Sequence, residues 1–173
     1  MKRLMLCIVL AACAMIFVAP AAPAQAQALT LTKPEKQLLA MVNHVRATHN
    51  LPKLTIATCL ERASRAHSRE MVRRSYFSHN SYNGETFSHR LIRFGFSTSG
   101  CRSWTAGEDI AWGYGSGGTA KAVFTAWMHS APHRAVILDK RLRRVGVGRA
   151  KGTYKGIPDV IFSTLDCGAR TLF

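Results

Sequence analysis

Residues 126–148 read AWMHSAPHRAVILDKRLRRVGVG, and this stretch contains the change from helix to strand that defines the fold. Upstream, Ala120–His129 carries apolar side chains at helical spacing, and Pro132 breaks or restarts that helix. Downstream, valine and glycine alternate over Arg144–Gly148, which is typical of a strand. After a turn-rich segment, Asp159–Leu165 is again strand-like, so the C-terminal part predicts an antiparallel hairpin.

The N-terminal half of the chain is predicted to be helical. The capping box Thr32-x-x-Glu35 precedes apolar residues at helical spacing, so a first helix is expected from about Pro34 to His49. A second helix is expected from about Cys59 to Arg74, and a short third helix from about Thr86 to Phe94. Helices early and strands late predict an α+β fold.

The first 28 residues have the pattern of a secretory signal peptide. Lys2 and Arg3 precede the apolar stretch Leu4–Val18, and small-x-small cleavage sites end at Ala26 and Ala28. Residues 29–173 then form one domain, which is expected to be secreted or periplasmic and to have no transmembrane span in its mature form.

A lipoprotein anchor is the alternative for this leader. Leu10-Ala11-Ala12-Cys13 has the small residues before a cysteine that bacterial lipidation uses. The apolar stretch continues beyond Cys13 to a complete second cleavage site, so secretion is preferred and lipidation stays open.

Positive charge dominates the composition, with a formal net charge of +15. A basic exported protein is expected to meet anionic partners outside the cytoplasm, which argues against a nucleic-acid partner. In the predicted second helix Arg62, Arg65, Arg69 and Arg73 follow at steps of three, four and four and form one stripe. At roughly 1 kcal/mol for each cation, the stripe is expected to hold the protein near anionic lipid or glycan, although a solvated basic surface is the simpler alternative.

Three cysteines remain once the leader is removed, namely Cys59, Cys101 and Cys167. In an oxidising compartment two of the three are expected to pair. The spacing does not choose among the three pairings, and Cys59 with Cys101 is preferred.

Three short polar signatures interrupt the globular sequence at Tyr76–His79, Gly107–Ala111 and Ser130–Arg134. Each presents an imidazole or a carboxylate in an apolar or Gly/Pro-framed context, which is how a fold directs polar side chains into one cleft. His67 differs from these residues because it lies on the apolar face of a helix, and it is expected to be a core histidine.

Seven motifs in this order resemble the CAP superfamily (cysteine-rich secretory proteins, antigen 5 and pathogenesis-related 1 proteins) in its short bacterial, SCP-like form. The resemblance implies a three-layer α-β-α sandwich with a central antiparallel sheet and a large open cleft. The motifs are Leu51-Pro52-x-Leu54, Ala66-His67-Ser68-x-x-Met71, Tyr76-Phe77-Ser78-His79, Gly107-Glu108-Asp109-Ile110-Ala111, Ala126-Trp127-Met128, Pro132-His133-Arg134-x-x-Ile137-Leu138 and Val145-Gly146-Val147-Gly148.

The same resemblance implies that His79, Glu108 and His133 lie in the cleft. The second acid of the family is replaced by Ser130, and Asp109 stands where the family commonly has asparagine, so Asp109 is expected to add a carboxylate. Two histidines and one carboxylate are also a ligand set for zinc or another weakly held divalent cation.

Three functions remain compatible with this cleft. The preferred one is a binding or scaffold module, not an enzyme, for an extracytoplasmic lipid, glycan or peptide. The second is a metal-assisted hydrolase or peptidase in which Glu108 and His133 are the catalytic candidates. The third is a structural or interaction protein with a vestigial cleft, which Ser130 in place of the second acid supports; His79, Glu108 and His133 would then form a hydrogen-bonded network that orders loops without catalysis.

Overall fold

The computed structural model describes residues 30–173, which form helices on both faces of a four-stranded sheet. The predicted signal peptide and Cys13 lie outside the described residues. The helices are α1 (Lys33–Thr48), α2 (Thr58–Arg74), α3 (Phe87–Arg93), α4 (Ala120–His129) and α5 (Ala131–Ile137), and the strands are β1 (Thr55–Ile56), β2 (Cys101–Gly113), β3 (Arg144–Tyr154) and β4 (Ile157–Leu172).

The strands lie in the order β1-β3-β4-β2. The pairs β3/β4 and β4/β2 are antiparallel, which confirms the α-β-α sandwich and the predicted C-terminal hairpin. The sheet is not antiparallel throughout, because β1 runs parallel to β3 and pairs Thr55 with Arg144. Strand β1 belongs to the connection between α1 and α2. This connection runs along the free edge of β3 in the same direction as β3, and only two of its residues pair with that strand.

Successive side chains along each strand point to opposite faces of the sheet, and each face packs against different helices. On one face, Gly146, Gly148 and Asp166 lie under α2. On the other face, Val147 and Leu165 belong to the main apolar core, which α1, α4 and α5 cover. The side of α2 therefore holds buried polar residues of the sheet, among them Thr164 and Asp166.

Helix α2 packs on β3 at backbone distance. A Cβ atom at Gly146 would overlap the backbone of Leu60, and one at Gly148 would overlap the backbone of Ser64. The helix is further fixed by Glu61, whose buried carboxylate accepts the Val147 N–H at 2.8 Å. The Val-Gly-Val-Gly pattern thus reflects close packing of a helix in addition to strand formation.

The cysteine expectation is wrong, because Cys59, Cys101 and Cys167 are all free. Cys167 lies fully buried on β4, where burial raises the pKa of its thiol. Cys59 is in the first turn of α2, whereas the Cys101 thiol points to the Ser99 carbonyl oxygen at 3.6 Å.

Within residues 30–173, none of the helices combines the length and the apolar character needed to cross a membrane.

The close packing of α2 gives a first prediction. Gly148→Ala is expected to lower the free energy of unfolding by at least about 2 kcal/mol, because the new methyl group meets backbone that has no rotamer to change. Gly117→Ala is the control, since a Cβ atom there has no neighbour within 4 Å. Urea unfolding of both variants is the measurement, and equal stability of the two would contradict the packing.

Candidate functional site

The edge strand β2 positions Glu108 and Asp109, the two adjacent acids of the signature at Gly107–Ala111. Glu108 pairs with Asp166 across the β2/β4 ladder, and Asp109 pairs with Leu165. Because successive side chains alternate, Glu108 points to the face that α2 covers, whereas Asp109 points to the face of the apolar core. Asp109 therefore does not lie beside Glu108 as a second carboxylate on the same face.

Both oxygens of Glu108 are already bound. The His79 ring donates from Nδ1 to Oε1 at 2.8 Å, and the Arg90 guanidinium donates to Oε2. The side chain of Glu108 is 0% exposed, and that of Arg90 is 1% exposed, so this is a buried ion pair. The His79 ring is 52% exposed and forms the outer part of the network.

Arg90 also binds the segment that carries His79. It donates to the His79 carbonyl oxygen at 3.1 Å and to Ser81 Oγ at 3.0 Å. From helix α2, His67 Nε2 donates to the Ser78 carbonyl oxygen at 2.9 Å. Burial lowers the pKa of His67, which confirms it as a core histidine. The loop before α3 is thus held at both its backbone and its imidazole.

His133 is brought to the same region by α5, which restarts at Ala131 after α4 ends. Its Nδ1 is hydrogen-bonded to Ser130 Oγ at 2.7 Å. Burial, and then the charge of nearby His79, lower the pKa of His133. The residue that replaces the second acid of the family therefore orients the second histidine.

Glu108 does not fit as a direct ligand in the predicted zinc set. A metal ion bound by Glu108 would have to displace Arg90 or His79, and removing one partner from a buried ion pair is costly. The hydrogen bonds of His79 and His133 both use Nδ1, so Nε2 is the nitrogen of each ring that remains for a ligand. Within the part of the chain that the structure describes, no group of three or more His, Cys, Asp or Glu side chains is arranged to hold a metal ion.

Asp166, like Arg90, is a site residue that the sequence did not reveal. It is fully buried across from Glu108, and its Oδ2 accepts the Ser64 hydroxyl at 2.8 Å. Burial, and then the charge of Glu108, raise the pKa of Asp166 well above its ordinary value, so its neutral form is favoured. The signal that could have indicated Asp166 is its position as an acidic residue directly after the apolar run of the predicted strand.

The arginine stripe of α2 is one residue smaller than predicted. Arg65 is only 13% exposed and pairs with Glu61 at 2.9 Å, and its Nε donates to Glu35 at 3.0 Å. A three-residue step rotates Arg65 by about 60° from the line of the other three, towards α1. Arg62, Arg69 and Arg73 are exposed and have no ion-pair partner among residues 30–173.

Residues 39–165 match the CAP family, described as the cysteine-rich secretory protein family. The chain belongs to this family. Among its relatives, protein YkwD of Bacillus subtilis is 34% identical over 114 residues, which are 66% of this chain and 41% of YkwD. Membrane protein YlbC of Bacillus subtilis is 32% identical over 123 residues, 71% of this chain and 33% of YlbC. The chain thus spans less than half the length of these two CAP relatives.

Solved structures confirm the CAP fold. An outer surface protein from Borrelia burgdorferi superimposes with a TM-score of 0.66 at 20% identity, covering 82% of this chain and 97% of that protein. An extracellular SCP-domain protein from Bacillus anthracis gives a TM-score of 0.59 at 28% identity, covering 75% of this chain and 39% of that one. These two similar structures come from an outer-surface and an extracellular protein.

The buried ion pair of this CAP domain gives the second prediction. Arg90→Met is expected to lower the free energy of unfolding by about 3–5 kcal/mol, because it leaves Glu108 charged and buried. Arg93→Met on the same helix is the matched control, since its pair with Glu85 is exposed and is expected to contribute under about 1 kcal/mol. Chemical unfolding measures both, and a loss no larger in Arg90→Met than in the control would contradict the buried pair.

The third prediction concerns Asp109, whose Oδ2 has no hydrogen-bond partner among residues 30–173. Burial, and then the charge of Glu108, raise its pKa from 3.8 to about 8. The folded protein then keeps a proton that the unfolded chain releases above about pH 4, so stability falls as pH rises from 4 to 8.

Asp109→Asn removes this titration. We expect the stability advantage of the variant to grow by about 1.4 kcal/mol per pH unit between pH 4 and 8 and then to level off. Thermal and chemical unfolding across this range measure it, with Asp159→Asn as the exposed control. A pH-independent difference between wild type and Asp109→Asn would contradict the raised pKa.

Proposed function

We propose that this CAP domain is an extracytoplasmic binding module that holds an anionic lipid, glycan or peptide. In this proposal the leader exports the domain, the exposed arginines of α2 attract the anionic surface, and the cleft around His79 contacts the ligand. The observation that carries the proposal is that both oxygens of Glu108 are held by Arg90 and His79.

This bonding favours binding over catalysis for a chemical reason. A general base or acid needs a carboxylate oxygen within reach of the substrate or of a water molecule. Glu108 is buried and saturated, so its role is to orient His79. The half-exposed His79 ring, with Nδ1 bound to Glu108, presents its remaining nitrogen to the cleft in a fixed direction.

The basic face supplies attraction over a longer range. Arg62, Arg69 and Arg73 are exposed at spacings of seven and four residues along α2. With roughly 1 kcal/mol for each cation close to an anionic membrane, the three contribute about 3 kcal/mol, or about a hundredfold in affinity. This attraction is expected to weaken as salt is raised.

Cosedimentation with vesicles of phosphatidylglycerol and phosphatidylcholine tests the proposal. We expect wild type to bind at low salt and the triple variant Arg62→Glu/Arg69→Glu/Arg73→Glu to lose most of this binding. The triple variant Lys33→Glu/Lys36→Glu/Lys121→Glu has the same change in net charge on α1 and α4, and it should bind nearly as well as wild type. Equal losses of binding in the two variants would contradict the proposal, because binding would then depend on net charge alone and not on the arginines of α2.

The cleft itself is tested by His79→Gln in the same assay. This change keeps Arg90 and Glu108 and removes the exposed imidazole, so a partial loss of binding is expected with an unchanged dependence on salt. Turnover of a peptide or ester substrate that chelator abolishes and that His133→Ala removes would instead support the metal-assisted hydrolase.

A further inference from the structure

A cavity lies at the opposite end of α2 from the His79 loop. It has a volume of about 550 Å³, within the usual size for small-molecule sites. Its walls come from the first turn of α2, the segment after α3 and the start of β3, together with Ala169 and Arg170 of β4. Along β4, Arg170 lies four residues beyond Asp166, or about 13 Å. The cavity is therefore separate from the cleft.

Three arginines line this cavity, and no acidic side chain from residues 30–173 lines it. Arg143 donates to the carbonyl oxygens of Lys140 and Leu142. Arg144 donates to Thr55 Oγ1 at 3.1 Å and to the Ile56 carbonyl oxygen at 3.0 Å.

Arg170 donates to the Ser97 carbonyl oxygen at 3.1 Å and stacks over the Phe96 ring. Every acceptor of Arg143, Arg144 and Arg170 among residues 30–173 is thus a neutral oxygen. A guanidinium has five N–H donors, so each of the three keeps unused donors as well as its full charge.

The N-terminal end of α2 adds to the positive charge that the three arginines bring to the cavity. Its N-cap residue is Ala57, which provides no side-chain acceptor for the first-turn N–H groups. The acid of that turn, Glu61, is directed instead to Val147 and Arg65. A helix end of this kind favours anions, although alone it would not make a site.

We propose that this cavity binds the phosphate group of a phosphorylated ligand. Guanidinium groups match the geometry of phosphate through paired N–H donors, and three of them around one concavity can neutralise a dianion. Phe96 and Ala169 provide apolar wall beside the cations, which leaves space for the organic part of a phosphomonoester or a lipid headgroup. The proposal is independent of the function proposed for the cleft.

Titration calorimetry with glycerol phosphate, and cosedimentation with vesicles containing phosphatidic acid, test the site and distinguish a soluble ligand from a headgroup. Arg143→Gln/Arg170→Gln is expected to lower affinity for the probe that binds by at least tenfold. Lys36→Gln/Lys121→Gln has the same change in charge outside the cavity and should stay within twofold of wild type. Failure of both probes to bind wild type, or equal losses in the two variants, would overturn the proposal.

A second measurement uses the wild-type protein and needs no substitution. Cys59 lines the cavity, whereas Cys101 does not. The probe that binds should slow alkylation of Cys59 by iodoacetamide at least fivefold and leave the rate at Cys101 unchanged, as followed by mass spectrometry of each peptide. An unchanged alkylation rate at Cys59 at saturating probe would contradict binding in this cavity.

Discussion

The buried ion pair between Arg90 and Glu108 is the interaction on which the cleft depends. It joins α3 to the edge strand β2, and the same guanidinium binds the backbone and the hydroxyl group of the loop between α2 and α3. Neither charge is stable alone in this environment, because a buried charge without a partner costs several kcal/mol. The position of His79 therefore depends on a pair that lies beneath it.

This pair lies on the side of the sheet that α2 covers, where close packing brings polar groups of the helix to the sheet. Glycines on β3 admit α2 so closely that its own polar groups, Glu61 and Ser64, bond directly to the sheet. The other face of the sheet is covered by apolar side chains of α1, α4 and α5, including Trp127. The loop that carries His79 is bonded to these packed elements through Arg90 and His67, which fixes its geometry and suits recognition.

Much of the fold could be predicted from local signals, and the exceptions have physical causes. The capping box of α1 and the proline in α5 place helix ends to within a residue or two. The length of β4 was underestimated, because Cys167–Leu172 contains glycine, alanine and arginine in place of the β-branched and aromatic run before it. The strand continues there because β2 pairs with it. The parallel pairing of β1 depends on tertiary contact and has no local signature.

The residues of the candidate site were predictable from the sequence only where they lie in motifs of the family. His79, Glu108 and His133 carry such motifs, whereas Arg90 and Asp166 reach Glu108 through contacts distant in sequence. Arg65 shows the reverse error, since its spacing fits a surface stripe but Glu35 on another helix binds it. Ion pairs between elements are decided by packing, which helical periodicity does not describe.

A double-mutant cycle of Arg90→Met and Glu108→Gln tests the central claim most directly, because it isolates the coupling of the two side chains from their separate costs. If the pair organises the cleft, the double variant should be more stable than the sum of the single effects predicts, with a coupling of at least about 2 kcal/mol. Additive effects, with a coupling below about 0.5 kcal/mol, would contradict the account.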